Sequence, residues 1–112
     1  MKTVITVILS IIFVSNIAVA QKKVETVVYQ TSAQCGMCKE AIEKELYLTN
    51  GIKSAELDND TKQLKVTFKT KKITKDRIKK IVSDLGYDID DVEGNKENYD
   101  KLPTCCKKTE DR

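Results

Sequence analysis

Two thiols one helical turn apart, in Cys35-Gly36-Met37-Cys38, lie where a strand-like run gives way to an amphipathic helix. That junction constrains the fold more than any other stretch, because it marks the turn between the first two elements with reactive side chains. On its near side, Lys23 to Ser32 alternates. Val27, Tyr29 and Thr31 would share one face, with Thr26, Val28 and Gln30 on the other. On its far side, Cys38, Ala41, Ile42 and Glu45/Leu46 recur at helical spacing through Lys39 to Leu48. Asn50-Gly51 then closes the helix with residues that tolerate the left-handed conformation of a C-terminal cap.

The rest of the chain reads by the same rules. Ile52 to Leu57 and Gln63 to Thr70 predict a hairpin around Asp58-Asn59-Asp60-Thr61, with Leu64, Val66 and Phe68 inward and Lys65, Thr67 and Lys69 outward. Thr74 caps the next helix, Asp76 suits its first turn, and Ile73 and Ile78 occupy the two positions of a hydrophobic staple. Ile78, Ile81, Val82 and Leu85 form its apolar stripe, which Gly86 ends. Tyr87 to Val92 then supplies a short last strand. This order predicts an α+β, ferredoxin-like βαββαβ sandwich, a four-stranded antiparallel sheet with two helices on one face.

Residues 1–20 stand apart from that fold. Lys2 precedes an apolar run from Val4 to Ala20, and Ala18-Val19-Ala20 precedes Gln21. That is the layout of a secretory signal peptide with an A-x-A cleavage site, in preference to an uncleaved anchor. The protein is therefore expected to be exported, periplasmic or secreted. Without Lys2, 19 basic residues face 17 acidic ones, interleaved rather than clustered, which leaves no footprint for nucleic acid. The chain has no histidine, so His-ligated zinc, His general bases and Ser-His or Cys-His dyads are all excluded.

Thiolate sulfur favours Cu(I), Zn(II), Hg(II)-like ions and Fe–S clusters over hard cations. Cys35 falls before the helix and Cys38 in its first turn, where free amides and the dipole stabilise anionic sulfur. Gly36 lets both sulfurs turn toward one ion, and Met37 offers an apolar shield or a plug beneath the site. Two thiolates without imidazole or carboxylate partners favour low-coordinate Cu(I) or Hg(II) over tetrahedral Zn(II). No catalytic residue is expected.

After Gly94 the composition turns polar, with Asn95 to Lys101 reading as a linker, so residues 95–112 are expected to be a flexible tail bearing Cys105 and Cys106. A disulfide within either cysteine pair would close almost no chain and add little stability; cross-pairing between loop and tail stays open, and functional thiols are the better reading. A last strand running away from the metal loop would start the tail at the far end of the domain. About ten extended residues reach about 33 Å, enough to return across a domain of about 25 Å. Cys105 and Cys106 are thus candidate third and fourth ligands. A separate thiol site, a vicinal disulfide and an intermolecular contact remain open beside that reading.

Residues 22–94 resemble a heavy-metal-associated domain, the module of copper chaperones, metal-pumping ATPase termini and the periplasmic mercury-binding protein. The resemblance rests on Cys35-x-x-Cys38 opening a helix, on Gly51-Ile52-Lys53-Ser54-Ala55, and on Leu85-Gly86-Tyr87. It implies that Cys35 and Cys38 bind the metal and that Tyr87 is the aromatic near the site. It also implies a membrane metal transporter or another thiol-bearing protein as partner. The family usually places methionine two residues before the first cysteine, where this chain has Ala33, and the simple module lacks the Cys105-Cys106 tail. The resulting reading is an exported carrier that binds and transfers a soft ion. A metal-sequestering buffer is one alternative. A thiol–disulfide redox protein is another, although the only proline, Pro103, lies in the tail rather than facing the motif.

Overall fold

The computed structural model describes residues 23–112, so the segment read as a signal peptide lies outside the described residues. Strand β1 (Val24–Gln30) leads into helix α1 (Gly36–Tyr47), and the hairpin strands β2 (Ile52–Leu57) and β3 (Gln63–Lys69) follow. Helix α2 (Lys75–Asp84) precedes a short helix α3 (Lys96–Asp100) and two 3-10 turns at Thr104–Cys106 and Thr109–Asp111. No helix among the described residues is long and apolar enough to cross a membrane.

The sheet is antiparallel in the order β1-β3-β2. Val66 of β3 stands opposite Val27 of β1 and Ala55 of β2, and the β2–β3 register slips between Ile52 and Ser54. Leu64, Val66 and Phe68 are buried, as the alternation of β3 requires, and they pack with Tyr29, Leu57, Ile42, Leu46, Ile78 and Val82 in one core. Val28, on the opposite face, is exposed. Burying each large apolar side chain is worth about 1.5–3 kcal/mol, so this single face carries most of the fold.

Helix boundaries follow their local signals. The Thr74 hydroxyl accepts from the Arg77 amide at 3.2 Å, closing the first turn of α2. Gly51 and Gly86 take φ of +98° and +105° after α1 and α2, conformations that favour glycine. On α1 the buried stripe is Cys38, Ile42 and Leu46, and Ala41 is exposed. The stripe is therefore narrower than the sequence spacing suggests.

The expected fourth strand is absent among the described residues: the sheet has three strands, and Tyr87 to Val92 contributes only isolated bridges. Ile89 bridges Thr31 on one side and Val92 on the other. Asp90 causes the reversal. Its backbone adopts a left-handed φ of 48°, and its carboxylate accepts from the Gln30 amide at 2.7 Å. At Gln30 the edge of β1 thus accepts from the Asp90 amide at 2.8 Å but gives its own amide to the Asp90 side chain, so the ladder does not continue. The hairpin-like return at Ile89 and Val92 also moves the origin of the tail. Gly94 donates to the Asp88 carboxylate at 2.8 Å and Asn95 donates to the Ser83 carbonyl at 2.7 Å. The tail therefore begins beside the end of α2, close to the thiol loop, and needs no return journey from the far end.

Candidate metal centre

The thiol loop is held from both sides by backbone bonds. Thr31 donates to the Lys62 carbonyl at 2.9 Å, and Ser32 donates to the Asp88 carbonyl at 3.1 Å. The Asp88 amide returns a bond to the Ser32 hydroxyl at 2.9 Å, joining the loop to the segment after α2. Lys62 adds a bond from its ammonium to the Gln34 carbonyl at 3.2 Å. Cys35 is then the N-cap residue of α1, in extended conformation, and Cys38 lies in the first turn. Cys38 is fully buried, whereas Cys35 is half-buried. The loop is thus less open than a pair of surface thiols.

The sequence-predicted ligands come together. The sulfurs of Cys35 and Cys38 are 3.4 Å apart, and Cys35 lies 2.7 Å from Cys105 and 3.6 Å from Cys106. Cys38 and Cys106 are joined as a disulfide with Cα atoms 5.7 Å apart, a separation normal for such a link, and Cys35 and Cys105 remain free thiols. Neither pair closes on itself. The Cys35, Cys105 and Cys106 sulfurs all lie within 4.8 Å of one another.

Distance alone does not say which sulfur of the Cys35–Cys105 contact carries the proton; the surroundings do. Burial pushes the Cys35 thiol up, but the hydrogen bond with Cys105, the nearby amides of Cys38 and Met37, and the Arg112 charge outweigh it and hold the group below its ordinary value. Cys105 moves the other way, through its hydrogen bond with Cys35 and, less strongly, through burial and the Cys35 charge. Cys35 is therefore the first of the pair to lose its proton as pH rises, as a helix N-terminus favours.

Met37 does not plug the site from beneath. It is exposed, with its sulfur 3.7 Å from that of Cys105, so it covers the outer side of the cluster. Ala33, which stands where the family usually has methionine, is buried in the core. Tyr87 is buried as well, and desolvation, followed by the Cys35 and Cys105 charges, raises its pKa. Its side chain belongs to the hydrophobic core.

Residues beyond the CxxC and tail thiols also shape the centre. Asp88, Tyr99, Lys108 and Arg112 hold the tail in place, and the sequence reading did not single them out. Lys108 pairs with the Asp88 carboxylate at 2.7 Å, and its amide donates to the Tyr99 hydroxyl at 2.9 Å. Arg112 donates to the Cys105 carbonyl at 3.1 Å. The stretch read as a linker is helix α3, capped by the Asn95 side chain, which accepts from the Asn98 amide at 3.0 Å. Asn at a cap position three residues before Asn98 was the signal available for it.

Paired thiols at the N-terminus of the first helix of a small α+β module suit the binding of a thiophilic metal ion. The sequence profile described as "Heavy-metal-associated domain" matches residues 32–88, which takes in both Cys35 and Cys38. The chain belongs to the heavy-metal-associated domain family. It is 34% identical over 55 residues to the copper chaperone CopZ of Staphylococcus haemolyticus (strain JCSC1435), covering 49% of this chain and 81% of that protein. Among solved structures, a CopZ metallochaperone aligns at 27% identity and a TM-score of 0.56, covering 58% of this chain and 98% of the other. Oxidized MerP from Ralstonia metallidurans CH34 has the same TM-score of 0.56 at 24% identity, over 59% of this chain and 93% of its own, a likeness of fold. These neighbours support the ferredoxin-like architecture, with the last strand of this chain reduced to bridges.

Proposed function

We propose that this chain is an exported carrier of a soft metal ion, Cu(I) foremost, held by the thiolates of Cys35 and Cys38. The observation that carries this reading is the pair of sulfurs 3.4 Å apart at the N-terminus of α1, with Cys35 favoured as thiolate. The helix supplies oriented amides without any competing oxygen or imidazole ligand, which suits a monovalent, low-coordinate, thiophilic ion. Identity with a protein named as a copper chaperone favours Cu(I), while Hg(II) and Zn(II) are the competing cargoes.

Cargo passes to another thiol protein by ligand exchange. An incoming thiolate adds to the metal, a resident one leaves, and the ion is never released to water. The acceptor that this chemistry fits is a dithiol domain, such as the one a membrane metal transporter would present. Export rests on the apolar run from Val4 to Ala20 and the Ala18-Val19-Ala20 motif. Because the Cys38–Cys106 disulfide withholds one of the two main ligands, loading follows its reduction by an external dithiol through thiol–disulfide exchange, in which the donor's two thiols become a disulfide as Cys38 and Cys106 become thiols.

The test is anaerobic competition of reduced protein against the Cu(I) chelator bicinchoninate. One ion held tightly, with affinity reduced by more than about 100-fold in Cys35→Ser/Cys38→Ser, is the expected result, since loss of direct ligands exceeds the 10–100-fold typical of outer-shell changes. Equal affinity in wild type and that variant would refute the assignment.

A further inference from the structure

We propose that Cys105 and Cys106 are the third and fourth ligands of the same ion, carried on a tail whose docking closes the site and whose displacement opens it for transfer. This inference rests on the assignment of Cys35 and Cys38 as ligands and adds the coordination number and the gate.

Geometry comes first. With metal–sulfur bonds of about 2.3 Å, a tetrahedral ion holds its sulfurs about 3.8 Å apart. The Cys35–Cys38 and Cys35–Cys106 separations of 3.4 and 3.6 Å already approach that edge, and the Cys35–Cys105 contact at 2.7 Å has only to open. The Cα atoms of Cys38 and Cys106 are 5.7 Å apart, near enough for their reduced thiols to share one ion. Cys35, Cys105 and Cys106 already lie within 4.8 Å of one another, and reduction of the Cys38–Cys106 bond leaves Cys38 beside them as the fourth thiol, with the sulfurs shifting to make room for the ion.

The tail is also held by contacts that involve no sulfur, so its thiols are preorganised rather than dragged in by one another. The backbone of Tyr99 packs so closely on Gly86 that a Cβ added to Gly86 would stand 2.6 Å from the Tyr99 nitrogen. A Cβ on Gly94 would stand 2.5 Å from the Gly86 carbonyl carbon. The Cys106 amide donates to the Pro103 carbonyl at 2.8 Å, turning the vicinal pair inward, and Cys106 is 2% exposed. Lys108 on Asp88, the Tyr99 hydroxyl under the Lys108 amide, and Arg112 on the Cys105 carbonyl complete the latch. Arg112 also places a cation beside Cys35 and Cys105, offsetting the negative charge that four thiolates around a monovalent ion would gather.

Function follows from position. An acceptor must bring its own thiolates to the ion, and the tail occupies the outer side of the cluster where they would enter. Being tethered, the tail competes at an effective concentration of about millimolar order, so it slows escape far more than a free dithiol would. The ion is thereby stored until a partner displaces the tail.

The experiment loads reduced wild type, Cys105→Ser/Cys106→Ser and Gly94→Ala with one equivalent of Cu(I) under anaerobic conditions. Copper K-edge X-ray absorption counts the sulfur ligands, and stopped-flow transfer to bicinchoninate reads the gate. The expected sulfur count is three or four in wild type and two in the double serine variant, with transfer at least about tenfold faster there. Gly94→Ala, which keeps every cysteine but disturbs the latch, should also transfer faster than wild type. Two sulfurs in wild type, with equal transfer rates in all three, would overturn the tail as a ligand and leave Cys35 and Cys38 as the site. Failure of wild type to hold any ion would overturn both readings together.

Discussion

Cys38 stands on a helix whose next two turns bury Ile42 and Leu46 against the sheet, while Cys106 sits in a single 3-10 turn at the end of a polar segment. Both side chains are almost fully buried and they meet each other, yet the means differ. In the first thiol pair, Cys38 is positioned by the hydrophobic core and Cys35 caps the same helix. The second pair is held, besides the Cys38–Cys106 disulfide and the burial of Cys106, by an ion pair, a few backbone bonds and close glycine contacts, each worth little alone. A centre built this way has one fixed half and one releasable half. On the proposal above, the first half binds the ion and the second gates its release.

The largest expected effect bears on whether both halves act on one ion. Oxidised protein, with Cys38–Cys106 closed, should present two titratable thiols and bind Cu(I) weakly; treatment with a phosphine reductant should reveal four thiols and restore tight binding. Thiol counting alongside metal titration checks this. Full-affinity binding by the oxidised protein would mean that Cys38 is not needed.

Next comes the contrast in stability. Ile42→Ala should destabilise the fold by about 2–5 kcal/mol, read from denaturant unfolding, because it empties a site at the centre of the core. Lys108→Ala, on the latch, should cost no more than about 1 kcal/mol, as exposed ion pairs do. If the two costs were similar, the distinction between fixed and releasable halves would collapse.

The smallest effect is a titration. Burial raises the Asp88 carboxyl, but the Gly94 amide and Lys108 outweigh it and hold the group below its ordinary value. A depressed folded-state pKa means the stabilisation is complete above the unfolded value and fades as pH falls through the folded one. Asp88 should therefore stay ionised below the normal aspartate range by carbon-detected NMR, and Lys108→Ala should shift its midpoint upward. An unchanged midpoint would remove Lys108 from the latch.

Legibility in the sequence divides along the same line. Strand β3, helix α2 and the Cys35–Cys38 loop follow from periodicity, caps and a motif, because each is decided by neighbours close in the chain. Tyr87 to Val92 looked equally strand-like, but Asp90 took a left-handed conformation and spent its carboxylate on the Gln30 amide. That choice depends on the edge of β1, sixty residues away, and no local pattern encodes it. The tail was harder still. Its thiols were visible as candidates, but their route to the site depended on the reversal at Asp90, and the latch on Asp88, Tyr99 and Arg112 depends on tertiary contacts alone.

The most direct test of the whole account is native mass spectrometry of the reduced protein with one equivalent of Cu(I) and an excess of bicinchoninate. It compares Cys35→Ser/Cys38→Ser with Cys105→Ser/Cys106→Ser. The account predicts that the first variant holds no ion under competition, while the second keeps one, bound less tightly than in wild type. Retention by the first variant and loss by the second would contradict it, placing the primary site on the tail and reducing Cys35 and Cys38 to accessories.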